Sequence, residues 1–276
     1  MLWTPQKGTP KIITNLGIVG SSTPGTSVPA NATTLLGGAV TELISAANNV
    51  QDSWGIEIAI AGLSSSTNAS ESCIDILIGG ATDDVLIAAL ICGGAQDARF
   101  MGTRSYFFPV HIPGGVRIAA QLASVIGGSA ARVVVSLLGG SPPPFRIGRK
   151  VTTYGTQINN VRGVAVTPTA SGGAASVTEI VASTSEDHFA FLPGFQVATD
   201  ASTSLLGYNV GIGIGAATEE RIGTWLFGSN ASEDFLGPFP RMPAFRDVPS
   251  GTRLSLLVSN SGTNDAAYDG LIYAVS

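Results

Sequence analysis

The sequence is poor in charge, in histidine and in cysteine. Only 12% of its 276 residues are charged, against 44% that are hydrophobic, and the net charge is −5. No block of lysine and arginine provides the basic surface that nucleic-acid binding needs. The longest apolar run, Val85–Cys92, is far shorter than the roughly 18 residues of a membrane helix. We therefore expect neither nucleic-acid binding nor membrane insertion.

The scarcity of cysteine and histidine argues against metal and disulfide chemistry. Cys73 and Cys92 are too few for a disulfide framework, and no zinc-site spacing is present. Because they are nearly symmetric about Thr82-Asp83, a hairpin would place them roughly opposite each other as buried thiols, with a disulfide as the alternative. His111 and His188 are expected to be structural or to lie at the surface. No cofactor is expected.

The hydrophobic surplus has to be buried somewhere. A chain with so little charge is expected to bury much of its outer surface between subunits, so the composition predicts a homo-oligomer. The N-terminal residues show no basic segment followed by an apolar core, and we expect no secretory signal.

Glycine is the abundant residue, with 35 copies. Together with many serine, threonine, alanine and valine residues, it is typical of short strands joined by tight turns. Helical patterns are nearly absent. Ala39–Val50 is the best helix candidate, but its β-branched residues fit a strand as well. We predict an all-β protein.

The sequence repeats itself at a nearly constant offset. Three colinear blocks match: Val40–Ile44 with Val177–Val181, Ile76–Ala95 with Ile212–Ala231, and Val110–Ser124 with Arg246–Asn260. Such matches predict an internal duplication. We expect two tandem antiparallel β-sandwich domains, residues 1–145 and 146–276, with a proline-rich connection between them.

One glycine pattern in the second copy is similar to a nucleotide-binding motif. Gly211-x-Gly213-x-x-Ala216 satisfies the pattern of a dinucleotide-binding turn. The first copy, however, has Asp75 and Leu77 at the first two glycine positions, and it reads as a strand before a hairpin. Because the pattern needs a strand-to-helix turn to bind a pyrophosphate, we reject the nucleotide hypothesis.

Two arginines are aligned by the repeat. Arg117 and Arg253 each follow a turn built on proline and glycine. Arg117 lies between Val116 and Ile118, and Arg253 lies between Thr252 and Leu254. We expect each side chain to pack its stem and bind a carboxylate or a carbonyl, with a ligand or subunit contact as the alternative. The aligned acids Glu42 and Glu179 are the expected partners of Arg117 and Arg253, respectively.

Acidic pairs and tryptophans complete the candidate residues. Asp83-Asp84 and Glu219-Glu220 occupy the same hairpin turn in both copies, and without a calcium-loop spacing they are expected to be solvated. Trp54 and Trp225 are interpreted as core aromatics, with a sugar-binding platform as the alternative.

The recurrent strand–turn–strand blocks carry a resemblance. "FFPVHIPGGVRIAAQLAS" and "VPSGTRLSLLVSN", with the closing strands "VVVSLLGG" and "GLIYAVS", resemble virion structural proteins of tailed bacteriophages. The resemblance covers the second half of each repeat. It implies jelly-roll-like sandwiches in a tail, neck or head-fibre protein, located in the virion after assembly in the host bacterial cytoplasm. It implies no catalytic residues.

The expected partners follow from this resemblance and from the duplication. We expect other virion proteins and a homo-oligomer, for which a trimer is favoured because three duplicated chains would present six similar lobes. The chain is therefore predicted to be a non-enzymatic particle component. A host-surface carbohydrate-binding module is the first alternative, and a glycan hydrolase is the second.

Overall fold

The structure of the chain is a computed structural model. It describes residues 12–14, 25–33, 35–61, 72–80, 83–92, 104–125, 127–140, 143, 145–156, 163–171, 173–197, 206–216, 219–229, 242–262 and 268–276. These residues form strands, turns and extended segments, so the predicted all-β fold is confirmed. The described residues include no apolar helix of membrane-crossing length. The helix candidate at Ala39–Val50 is a short strand followed by a turn.

The first half of the chain forms two antiparallel sheets. Its strands are β1 (Ile12–Thr14), β2 (Thr26–Pro29), β3 (Thr41–Ile44), β4 (Ser53–Ala61), β5 (Ser72–Gly79), β6 (Asp83–Ile91), β7 (Arg104–Phe108), β8 (Arg117–Ser124) and β9 (Ala130–Gly139). One sheet has the order β1-β9-β4-β7, with β2 also paired to β9, and the other has the order β3-β8-β5-β6. Their inner faces pack together in one apolar core.

The second half has the same strand order. Its strands are β10 (Val151–Tyr154), β11 (Val164–Val166), β12 (Ser176–Val181), β13 (His188–Val197), β14 (Leu206–Ile214), β15 (Glu220–Ser229), β16 (Ala244–Val248), β17 (Leu254–Asn260) and β18 (Tyr268–Val275). One sheet runs β10-β18-β13-β16, with β11 also paired to β18, and the other runs β12-β17-β14-β15. The fold is thus a duplicated antiparallel β-sandwich.

The matching strands β9 and β18 are buried differently. Strand β9 alternates between buried and half-buried positions, as expected for a sheet with one face on a core. Strand β18 is buried at all eight positions. Ile272 and Ala274 face the core of the second sandwich, whereas Leu271, Tyr273 and Val275 belong to the core of the first. The outer face of this sheet therefore lies against the first half.

Tyr273 fixes this contact by hydrogen bonds. Its hydroxyl accepts from the amide of Ile91 at 2.8 Å and donates to the carbonyl of Ala89 at 2.9 Å. The hydroxyl of Thr153 donates to the carbonyl of Ala88 at 2.7 Å. Side chains of β18 and β10 therefore cover the outer edge of β6. We call this contact between β6 and the sheet β10-β18-β13-β16 the junction.

The junction also holds an unusual backbone conformation. Ala89 has a φ of 51°, in the left-handed region that disfavours residues with a Cβ. Its amide donates to Asp75 Oδ1 at 2.7 Å, and its carbonyl accepts from Tyr273. The two hydrogen bonds hold the irregular end of β6 in place.

Removing the junction hydroxyl tests its contribution. We expect Tyr273→Phe to lower the free energy of unfolding by about 1–3 kcal/mol, because a buried amide and a buried carbonyl lose their partner. Thr224→Val, which removes an exposed hydroxyl from β15, should change it by less than about 0.5 kcal/mol. Urea denaturation measures both, and equal stability of the two variants would contradict this role of Tyr273.

Candidate functional site

Arg253 joins three elements of the second sandwich. Its Nε donates to Glu179 Oε2 at 2.7 Å, and its Nη1 donates to the carbonyl of Gly215 at 2.9 Å and also pairs with Glu219. The hydrogen bond with Glu179 is the first cause that raises the pKa of the Arg253 guanidinium, and the charge of Glu219 adds to it. The predicted pairing of Arg253 with Glu179 is present.

Arg117 has a different carboxylate partner from the one predicted. It pairs with Asp83, at the start of β6, while Glu42 is exposed on β3. The register explains the correction. Gly79 lies opposite both Asp83 and Arg117 on its two neighbouring strands. Because Gly79 has no side chain, the long side chain of Arg117 can reach the carboxylate of Asp83 across it. The predicted pairing of Arg117 with Glu42 is wrong.

The same geometry corrects the prediction for the hairpin acids. The side chains of Asp83 and Glu219 are only 14% and 12% exposed, since each lies against its arginine. The next residue is exposed in each copy: Asp84 in the first, and in the second Glu220, which pairs with Arg246 at 2.9 Å. We call the pairs Arg117–Asp83 and Arg253–Glu219 the arginine clamps. The first clamp connects β6 to β8 across β5, and the second connects the start of β15 to the start of β17 across β14.

Aromatic rings line the side of the junction. Trp54 makes edge contacts with Phe107 and Phe145, with ring centroids 6.4 and 5.7 Å apart. Phe145, from the connection between the halves, also lies 5.7 Å from Phe245 of β16. Trp54 is half-buried and Phe245 is 47% exposed. The cluster Trp54–Phe107–Phe145–Phe245 thus joins the two halves and reaches solvent at one end.

Trp225 is a packing residue on β15. Its ring is half-buried against both apolar cores, and its Nε1 donates to the carbonyl of Met242 at 3.0 Å. The interpretation of Trp225 as a core aromatic fits these contacts. Its neighbour Leu226 is 80% exposed.

The two histidines lie in different environments. His188 is buried, and its Nε2 is 2.7 Å from the hydroxyl of Tyr154, which also accepts from the Ser185 amide at 3.1 Å. Burial lowers the pKa of His188, and the carboxylate of Glu186 opposes this effect. His111 is half-exposed, 3.5 Å from Asp52.

The two cysteines are buried and are not joined by a disulfide bond. Cys73 lies opposite Ile91 rather than Cys92, one residue away from the position predicted by hairpin symmetry. Burial raises the pKa of Cys73 well above its ordinary value and that of Cys92 to about 12. Such thiols are mostly protonated and unreactive at neutral pH. The prediction of buried thiols is confirmed, and they form no disulfide.

The glycine pattern forms no nucleotide turn. Gly211 and Gly213 lie inside β14, paired on one side with β15 and on the other with β17. The pattern is part of a β-ladder, which confirms the rejection of the nucleotide hypothesis. Among the residues that the structure describes, no three His, Cys, Asp or Glu side chains are placed to hold a metal ion.

Sequence reasoning missed the polar part of the junction. The amide of Ser72 donates to Gln196 Oε1 at 3.3 Å, and Arg104 donates to the carbonyl of Phe195 at 3.4 Å. Arg104 and Gln196 are both buried. Neither belongs to a repeated block. The outer face of β9 carries Arg132 and Ser136 beside Val134 and Leu138, whereas that of β18 carries Leu271, Tyr273 and Val275. This difference was the available signal for a sheet covered on both faces.

Comparison with known proteins identifies no family. No family model matches the chain, and no curated protein matches it. The chain is similar to the structure of PNGF-II, with 7% identity, a TM-score of 0.38, and coverage of 91% of this chain and 65% of that one. The chain therefore spans about two thirds of PNGF-II.

Two other solved structures are similar over nearly the whole chain. One is the CBM22-1–CBM22-2 tandem domain of Paenibacillus barcinonensis Xyn10C, with 11% identity, a TM-score of 0.29, and coverage of 99% of this chain and 94% of that one. The other is the infectious bursal disease virus VP2 subviral particle, with 10% identity, a TM-score of 0.24, and coverage of 98% and 72%. At these scores the likenesses carry no functional conclusion.

The first arginine clamp gives a matched test. We expect Asp83→Ala to lower the free energy of unfolding by about 1–3 kcal/mol, because the shielded Arg117 loses its charged partner. Asp84→Ala removes the adjacent exposed carboxylate and should change stability by less than about 0.5 kcal/mol. Thermal and urea unfolding distinguish the two, and equal losses would show that the clamp is not the cause.

His188 predicts a pH dependence of stability. Because its pKa is lowered in the folded protein, the unfolded chain binds a proton first as the pH falls below the ordinary value of 6.5. The contribution of neutral His188 is therefore present above its ordinary pKa and is lost progressively as the pH falls from there through the lowered pKa of the folded protein. We expect His188→Gln to flatten this part of the stability curve. An unchanged curve in the variant would contradict the assignment to His188.

Proposed function

We propose that the chain is a non-enzymatic structural component of a tailed-phage particle, a tail, neck or head-fibre protein that acts in the virion. The observation that carries the proposal is the continuous core of the junction. Tyr273, Leu271 and Val275 of the second half are packed in the core of the first. Two sandwiches joined in this way form one stiff building block, which suits a load-bearing particle.

The charged groups support a structural role. Asp83, Glu219 and Glu179 are engaged by the two arginines, and Lys150 pairs with Glu186 at 2.6 Å. Each of these ion pairs connects separate segments of one sandwich and so stabilises the block. The proposal that the chain is not an enzyme rests on this structural use of its carboxylates.

The proposal includes homo-oligomeric assembly, with a trimer as the favoured state, and contacts with other virion proteins. The low charge of the sequence and the exposed apolar side chains Leu226 and Val85 support it. Apolar side chains on an outer sheet face are stabilised when a partner covers them.

A carbohydrate-binding attachment module is the second candidate. The observation that favours it is the aromatic cluster at the junction, which ends in the partly exposed ring of Phe245. Exposed aromatic rings are suited to stack on sugars, and a host-surface glycan is the ligand that this candidate implies. The same cluster also serves as packing between the halves, which supports the first candidate.

Locating the protein separates the two candidates. Gold-labelled antibodies against the chain should mark purified phage particles from an infected culture at a fixed position. Particles without label that nonetheless form normally would contradict the particle role. Binding to a glycan array that is lost in Phe245→Ala, and kept in Phe107→Leu, would favour the attachment module instead.

A further inference from the structure

Among the large apolar side chains that the structure describes, Leu226 is the most exposed, and the duplication gives it a buried counterpart. Leu226 of β15 lies opposite Asn209 of β14, as Ile91 of β6 lies opposite Cys73 of β5. The repeat aligns these strands, and each pair ends the same kind of sheet. Ile91 is fully buried, whereas Leu226 is 80% exposed.

The burial of Ile91 is due to the second half of the chain. Tyr273 binds its amide, and a Cβ on Gly194 would lie 3.1 Å from its Cδ1. Thr153 binds the adjacent carbonyl of Ala88. The edge of the first sandwich is thus covered by the outer sheet face of the following sandwich.

In the second sandwich, the described residues provide no such cover for the matching edge. Within the residues that the structure describes, β15 is the last strand of its sheet, and Leu226 and Thr224 are exposed on it. We infer that a second copy of this chain covers the β15 edge, docking head to tail through the outer face of its first half.

The first half has a matching face for this contact. On the ladder of β4 and β9, Ala59 stands in the place of Gly194, and Ser136 stands in the place of Tyr273. Both are half-exposed, as is Val134 beside Ala59. Ala59 and Val134 offer a small apolar surface on which Leu226 can pack. The hydroxyl of Ser136 offers a hydrogen bond to the strand edge, as the hydroxyl of Tyr273 does for β6.

Such a contact is heterologous, because it joins two different surfaces. Repeating it closes a ring when the rotation between successive sandwiches permits, and otherwise gives an open filament. The inference rests on the proposed function in one respect, the expectation that the chain assembles, and it adds the surface and the direction of assembly.

Charge substitution on each face tests the contact. We expect the wild-type protein to sediment as an oligomer, and Leu226→Glu and Ser136→Arg each to sediment as a monomer with an unchanged melting temperature. Val177→Glu is the matched control. It places the same charge on β12, at the other end of the same sheet, where the side chain is 49% exposed. It should sediment as the wild-type oligomer does.

Mixing the two monomeric variants tests the direction. The Ser136→Arg chain keeps an intact β15 edge, and the Leu226→Glu chain keeps an intact first-half face. An equimolar mixture should therefore form a species of two chains and nothing larger. A contact between two identical β15 edges would instead let the Ser136→Arg chain assemble with itself, and this result would overturn the head-to-tail arrangement.

The other outcomes are equally decisive. A wild-type protein that stays monomeric at every concentration, or a Leu226→Glu variant that assembles normally, overturns the inference. If the Leu226→Glu variant assembles normally while antibodies label the particle, the proposed function stands and the proposed interface is wrong. If particles are unlabelled while Leu226→Glu abolishes assembly, the interface stands and the particle role is wrong.

Discussion

The burial of the β6 edge by the second half is the interaction on which the rest of the structure depends. An edge strand exposes backbone groups that can pair with other chains. Here side-chain hydroxyls of Tyr273 and Thr153 satisfy three of those groups, and the ring of Tyr273 enters the core between Tyr106 and Phe108. The two sandwiches therefore share one core instead of being independent domains joined only by a linker.

The arginine clamps hold strands together within each sandwich, whereas the junction holds the two sandwiches together. Arg117 begins β8 and Arg253 immediately precedes the matching strand β17. Each binds a carboxylate at or just before the start of the second hairpin strand, across the strand that lies between them. A planar guanidinium can reach a carboxylate and a carbonyl together, which Arg253 does with Glu219 and Gly215. The scarce charges are thus used to fix strand positions, which is consistent with a rigid building block.

The sequence predicted the architecture and only part of the site. Repeated blocks and glycine-rich turns were enough for the duplicated sandwich, and alignment was enough to pair Arg253 with Glu179. The partner of Arg117 could not be predicted, because it depends on the ladder register that places Gly79 between Arg117 and Asp83. Tyr273 was missed for a related reason. Its role depends on how two finished sheets pack, which the repeat leaves open.

The most direct measurement of the central claim is the exchange of the Ile91 amide hydrogen with solvent. If the second half covers β6, this amide should be protected as strongly as the amides of central strand β5, and it should exchange only when the protein unfolds globally. An Ile91 amide that exchanges much faster than those of β5 under native conditions would contradict the account, because it would show that the junction opens independently of the two sandwiches.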